Sequence, residues 1–97
     1  MFRHCVMMAF TDGATDDQKA TAIAGILGLT ESIPQIRSMS VGSDAGLRDD
    51  NFDVVAVVDF DDQADYETYA ADPTHLDMLG ELVRPILAGR AAVQYEL

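Results

Sequence analysis

The stretch Asn51-Phe-Asp-Val-Val-Ala-Val-Val-Asp-Phe60 decides the fold. In an extended chain successive side chains point to opposite faces. Phe52, Val54, Ala56, Val58 and Phe60 therefore line one face, with Val55 and Val57 on the other. A strand apolar on both sides must be covered on both. Upstream, Gly42 to Asn51 mixes Gly, Ser, Asp and Arg without periodicity and reads as an exposed loop. Its glycines have neither the GxGxxG nor the GxxxxGK spacing that cradles phosphates.

Before that loop, Ile36 to Val41 is predicted to be a strand, because Ser32-Ile-Pro34 pushes the chain out of helix. The chain opens with another strand: Phe2, His4, Val6, Met8 and Phe10 alternate with Arg3, Cys5, Met7 and Ala9. Between these two strands, Thr15-Asp-Asp-Gln18 has the spacing of a capping box, and Asp16 and Asp17 complement the helix dipole. The helix is predicted to run to about Leu27, with Gly28 at its exit. Downstream of the central strand, Asp61 or Asp62 caps a helix through about Ala70. Ala71-Asp72-Pro73 breaks it, and a further helical segment carries His75, Met78, Leu79, Leu82 and Val83 until Pro85 kinks or ends it. Arg90 to Leu97 alternates as a final strand.

The resulting order, β-α-β-β-α-(α)-β, is an α+β ferredoxin-like arrangement over residues 1–97: one antiparallel sheet with helices on one face. A chain of 97 residues cannot divide its core, so a single domain is expected. Helices shield only one side of such a sheet. Cys5, Met7, Ala9, Met39, Val41, Val55 and Val57 are expected to form an apolar patch on the other side. A homodimer with its sheets face to face covers that patch with itself.

Composition bounds the partners. Seventeen acidic residues against six basic ones give a formal charge of -11, which disfavours nucleic acid and anionic membrane as partners. The start lacks the apolar run of a signal peptide, and no stretch approaches the roughly 20 apolar residues of a bilayer span, so a cytoplasmic location is expected. The single cysteine, Cys5, forms no internal disulfide and reads as a buried, inert thiol.

Acid–base chemistry has one place to reside: the segment Tyr69-Ala-Ala-Asp-Pro-Thr-His75 together with His4, which contain both imidazoles of the chain. An imidazole with a pKa near 6.5 suits removal of a proton alpha to a carbonyl at neutral pH. His75 is the candidate general base. Tyr69 is a hydrogen-bond donor to a developing enolate oxygen. His4, on the strand face with Val6 and Met8, orients the ligand or His75. The alternative is structural, with Tyr69 bonded to a backbone carbonyl and His4 a satisfied core histidine. A metal site built on Asp72, His75 and Asp77 is a weak pattern, and no flavin, haem or nucleotide motif is visible, so no cofactor is expected.

These residues together resemble the stress-responsive A/B barrel (Dabb) domain, one of the dimeric α+β barrels. The likeness covers nearly the whole chain: the opening strand with His4, Ile33-Pro34-Gln-Ile36, Val41-Gly42, the stretch from Asn51 to Phe60, Tyr69-x-x-x-Pro73-x-His75, and the closing Tyr95-Glu96. Asp72 departs from the pattern, since many relatives carry a second histidine there. The resemblance implies a homodimer and a small apolar or carbonyl ligand held between sheet and helices, without a defined reaction. It also implies an alternative, a polyketide cyclase-like enzyme free of cofactors, because in the family's cyclases the counterparts of Tyr69 and His75 act at a pocket lined by the counterpart of His4. Ala22, Ile23, Ile26 and Leu27 on the first helix, with Met78 and Leu79 after His75, stand where the cyclases carry bulky aromatics, which implies a different or smaller ligand.

Overall fold

The central apolar strand forms as β3, Val54–Phe60, in a computed structural model that describes all 97 residues. Its inner face, Val54, Ala56, Val58 and Phe60, is buried against helices. It pairs antiparallel with β1 (Phe2–Phe10) on one side and with β2 (Ser38–Ser43) on the other. β4 (Leu87–Glu96) joins the far side of β1, so the sheet order is β2-β3-β1-β4, all antiparallel. The α+β ferredoxin-like arrangement expected from the sequence is the one found.

The first helix, α1 (Asp16–Ser32), begins at the expected capping box. The Gln18 N–H donates to Thr15 Oγ1 (3.1 Å) and the Thr15 N–H to Gln18 Oε1 (2.9 Å). It does not stop at Gly28. A glycine inside a helix costs about 1 kcal/mol relative to alanine, whereas burying a large aliphatic side chain contributes about 1.5–3 kcal/mol. Continuing past Gly28 buries Leu29 and brings Ile33 into the core, two gains against one cost. The helix ends where Pro34 holds Ile33 in extended geometry, at φ -121° and ψ 102°.

Asp62 caps α2 (Gln63–Ala71) by accepting from the Asp65 N–H at 2.9 Å. Asp72 then caps α3 (Pro73–Met78), accepting from the Thr74 N–H at 2.8 Å, with Pro73 in the first turn where a missing N–H costs nothing. Beyond α3 the chain widens into a π-turn, Leu79–Val83, and tightens into a 3₁₀ turn, Arg84–Ile86. The Arg84 N–H bonds to the Leu79 carbonyl, five residues back, and the Leu87 N–H to the Arg84 carbonyl, three back. Pro85 has no N–H to donate, so an α-helical ladder cannot run through this segment.

The outer face of the sheet carries no helix. Strand pairing corrects its membership: Met39 lies opposite Val58 and Val41 opposite Ala56, so both point toward the helices with those buried partners. The open face instead presents Met7, Val55, Val93 and Tyr95, between 37% and 55% exposed, around Cys5 and Val57. Cys5 is thus a half-buried residue of this face rather than a core thiol. One end of the face is polar: Arg3 grips Asp59 with two hydrogen bonds (2.8 and 2.9 Å), and Ser38 adds a third at 3.3 Å. The Arg3 guanidinium holds the Asp59 carboxyl below the usual carboxylate range. No helix is long and apolar enough to cross a membrane.

The two glycines within α1 report on how closely the helical layer packs. A methyl group at Gly25 would lie 2.6 Å from Leu82 Cδ1 and 3.2 Å from Met78 Cγ, whereas one at Gly28 would meet nothing within 4 Å. Gly28→Ala is expected to stabilise the fold by about 1 kcal/mol, the helix-propensity gain. Gly25→Ala carries the same gain but must turn the Leu82 and Met78 side chains aside, which offsets it. Urea unfolding should therefore rank Gly25→Ala below Gly28→Ala, and equal stabilities would contradict the close contact.

Candidate functional site

The core is divided. Met8, Phe10, Ala22, Ile26, Val54, Ala56, Val83 and Ile86 form one buried cluster; Phe2, Leu29, Ile33, Ile36, Val58, Phe60 and Tyr69 form another. His4 stands on the inner face of β1 between Phe2 and Met8, where the two meet. A cavity of about 340 Å³ opens there, lined by residues of both clusters and by His4, Tyr66, Tyr69, His75, Arg84 and Arg90. Its volume lies at the lower end of the range for small-molecule sites.

All three residues singled out from the sequence line this cavity. The turn at Asp72-Pro73 folds α3 back on α2, so that the His75 ring stacks on Tyr69 with centroids 4.3 Å apart and planes inclined by 31°. Tyr69 also contacts the His4 ring, at 6.2 Å between centroids. Tyr69 makes no hydrogen bond to a backbone carbonyl, contrary to the structural alternative. Because no fully buried side-chain polar atom lacks a partner, its hydroxyl keeps some access to solvent, and Tyr69 lines the cavity.

The two imidazoles are held in different ways. His75 Nδ1 lies 3.4 Å from the Ala70 carbonyl, which can only accept, so Nδ1 carries the hydrogen and Nε2 keeps a free lone pair. His4 Nδ1 lies 2.9 Å from the Gln94 side-chain nitrogen, which donates to it and leaves the hydrogen on Nε2. Burial pushes the His4 pKa down to about 4, and the Arg90 charge and His75 add to the effect. Burial also lowers the His75 pKa, outweighing the Ala70 bond and Asp72, which raise it. Both rings are neutral at pH 7. Burial pushes the Tyr69 phenol up to about 12, so it remains a donor. The arrangement therefore offers one basic nitrogen and two N–H or O–H donors to whatever occupies the cavity.

Four features of the site were not read from the sequence. Tyr66 stacks near His4, Phe2 and Phe60 at centroid distances of 5.1–5.7 Å; its spacing of three residues from Tyr69 along a helix was the available signal. Leu29, not Leu27, reaches the cavity, because α1 continues past Gly28 and leaves Leu27 exposed. Of the first-helix residues expected to face a ligand, only Ile26 lines the cavity, whereas Met78 and Leu79 do so as expected. Arg84 and Arg90 were missed because the last strand begins at Leu87 rather than Arg90, which obscured the turn before it.

A four-stranded antiparallel sheet with helices on one face and a cavity between the layers places the protein in the ferredoxin-like α+β class. The chain belongs to the Stress responsive A/B Barrel Domain family, Dabb, whose model matches residues 2–97. It is similar to a dimeric ferredoxin-like protein of unknown function from Thermobifida fusca, with 32% identity, a TM-score of 0.88, and coverage of 99% of this chain and 90% of that one. A hydroxynitrile lyase from Passiflora edulis has the same fold at 22% identity, with a TM-score of 0.89 over 99% of this chain and 92% of the lyase. A dimeric protein of unknown function from Bacteroides fragilis is similar in fold at 23% identity, TM-score 0.81, over 99% and 95% of the two chains. No curated protein matches the chain.

The buried, neutral state of His4 has a pH signature. Its folded pKa of about 4 lies below the unfolded value of 6.5, so the unfolded chain binds the proton first. Stability is complete above pH 6.5 and is lost as pH falls toward 4, a window above that of the Asp59 carboxyl, whose pKa is itself depressed. His4→Gln removes this term while leaving that of His75 in place. The stability of wild type minus His4→Gln, from urea unfolding, should shrink between pH 7 and pH 4.5; a pH-independent difference would show that His4 is not held neutral.

Proposed function

We propose that this protein is a homodimeric Dabb domain of the cytoplasm that binds a small apolar or carbonyl ligand in the cavity between sheet and helices. The observation that carries this reading is the cavity itself: an opening of about 340 Å³ that brings His4, Tyr69 and His75 together in a lining that is apolar apart from these residues, Arg84 and Arg90. A core so short of volume gains nothing in stability from a void, since unfilled space forfeits packing contacts. Polar groups aimed into such a void suit a ligand that supplies their partners.

A second reading, cofactor-independent acid–base catalysis of the polyketide cyclase kind, is favoured by one observation: the His75 ring, whose Nε2 keeps a free lone pair, stacks on the Tyr69 ring at the cavity. His75 takes a proton from the carbon alpha to a carbonyl, and the electron pair moves onto the carbonyl oxygen. Tyr69 donates a hydrogen bond to that oxygen as its charge develops, and His4 donates from Nε2 to hold the ligand.

The dimer is supported by the open sheet face, where Met7, Val55 and Val93 are exposed beside Tyr95, and by the dimeric state of the Thermobifida fusca relative. A second copy placed on this face buries the apolar centre and keeps the cavity, on the opposite side of the sheet, free. Nucleic acid and membrane surfaces are unsuitable partners for a chain of charge -11.

Light scattering at micromolar concentration is expected to give a dimer for wild type and a monomer for the double variant Met7→Asp, Val93→Asp; a monomeric wild type would refute the dimer. For the catalytic reading, proton NMR in D₂O should show exchange of α-protons in small ketones that bind, and His75→Ala should reduce the rate by roughly 10²-fold or more with the dimer intact. If every ketone that binds exchanges only at the buffer rate, the protein is a binding protein and the enzyme reading fails.

A further inference from the structure

The chain has six basic residues against seventeen acids, and their placement is uneven. Arg3 is paired with Asp59 at 2.8 Å, Arg37 with Asp61 at 2.6 Å, and Arg48 with Asp50 at 3.6 Å. Lys19, Arg84 and Arg90 remain without an ion-pair partner. Two of these three, Arg84 and Arg90, line the cavity, as do both histidines, and no Asp or Glu does. Asp72 influences His75 from outside the lining, and its carboxylate is engaged at the Thr74 N–H. The most acidic property of the chain is thus reversed at this one place.

Topology explains how the two arginines reach the same opening. Arg90 lies opposite Met8 in the β1–β4 pairing, on the helix-facing side of an edge strand, and its side chain is exposed. Arg84 sits in the 3₁₀ turn that leads into β4 and is exposed as well. Arg90 lines the cavity together with His4, Tyr69 and His75, and its charge lowers the proton affinity of all three.

We propose that the ligand of this cavity is an organic monocarboxylate, its carboxylate held at the mouth by Arg90 and Arg84 and its apolar body directed inward toward Tyr69 and His75. This rests on the reading of the cavity as a ligand site. A guanidinium fork matches a planar carboxylate and binds it through parallel N–H bonds. The remaining acidic surface repels anions only at long range, and salt screens that repulsion over about 10 Å. The same charge pattern leaves the arginines as the only attraction an anion meets at the opening.

The test uses the full chain and isothermal titration at low salt with 4-oxo-4-phenylbutanoate and straight-chain oxo-carboxylates of six to ten carbons, each beside its methyl ester. Wild type should bind at least one acid about tenfold more tightly than its ester. Arg90→Met should bring that ratio close to one, Arg90→Lys should retain part of it, and Arg48→Met, which removes equal charge from an exposed loop, should leave it unchanged. Equal binding of acids and esters by wild type would overturn the carboxylate assignment alone. A loss of the ratio in Arg48→Met equal to that in Arg90→Met would also overturn it, since overall charge would then be the cause. Absence of binding by any acid or ester would overturn both the carboxylate and the cavity reading beneath it.

Discussion

One constraint governs the rest of this molecule: four strands need cover on their inner face, and the helices available reach three of them. α1 packs on β2, and α2 packs on β1 and β3, while β4 is attached through β1. The uncovered edge leaves Arg90, Ala92 and Gln94 exposed on the inner side of β4. The cavity reaches this side, where Leu87 and Arg90 line it, while the two clusters divide along the strand direction, with Ala56 and Met8 in one and Val58 and Phe2 in the other. His4 bridges the gap because β1 must alternate, and its place on the inner face falls where neither cluster extends.

Much of this was legible in the residues, for identifiable reasons. β1 was bounded correctly because its alternation is unbroken from Phe2 to Phe10, and the start of α1 because its capping box is local chemistry. Errors arose where distant parts of the chain decide. Whether Met39 and Val41 face inward depends on register against Val58 and Ala56, which no local pattern in a short, serine-rich strand can reveal. Gly28 reads as a helix exit until the burial of Leu29 and Ile33 is weighed against it. The site divided in the same way: His4, Tyr69 and His75 stood out by residue type, whereas the arginines became visible only once the edge strand and the preceding turn were in place.

The electrostatics of the cavity depend on backbone and amide partners rather than on a buried charge. Ala70 and Gln94 set the two imidazoles in opposite senses, one accepting and one donating at Nε2. Neutral rings avoid the large cost of burying an ion, and the high pKa of Tyr69 follows from the same low-polarity surroundings. The positive charge is kept at the rim, on two arginines that remain exposed to water.

The π-turn at Leu79–Val83 has an evolutionary consequence. A π-turn is an α-helix carrying one surplus residue. Losing that residue would return Leu79–Val83 to α-helical winding as far as the break at Pro85, rotating the wall that carries Met78, Leu79 and Val83, while Pro73 at one end and β4 at the other keep their anchorage. The chain thus holds a hinge in sequence space: a single-codon deletion or insertion can resize the interior without disturbing the register of any strand. Members of one fold can in this way diverge in what they accept while sharing a common sheet.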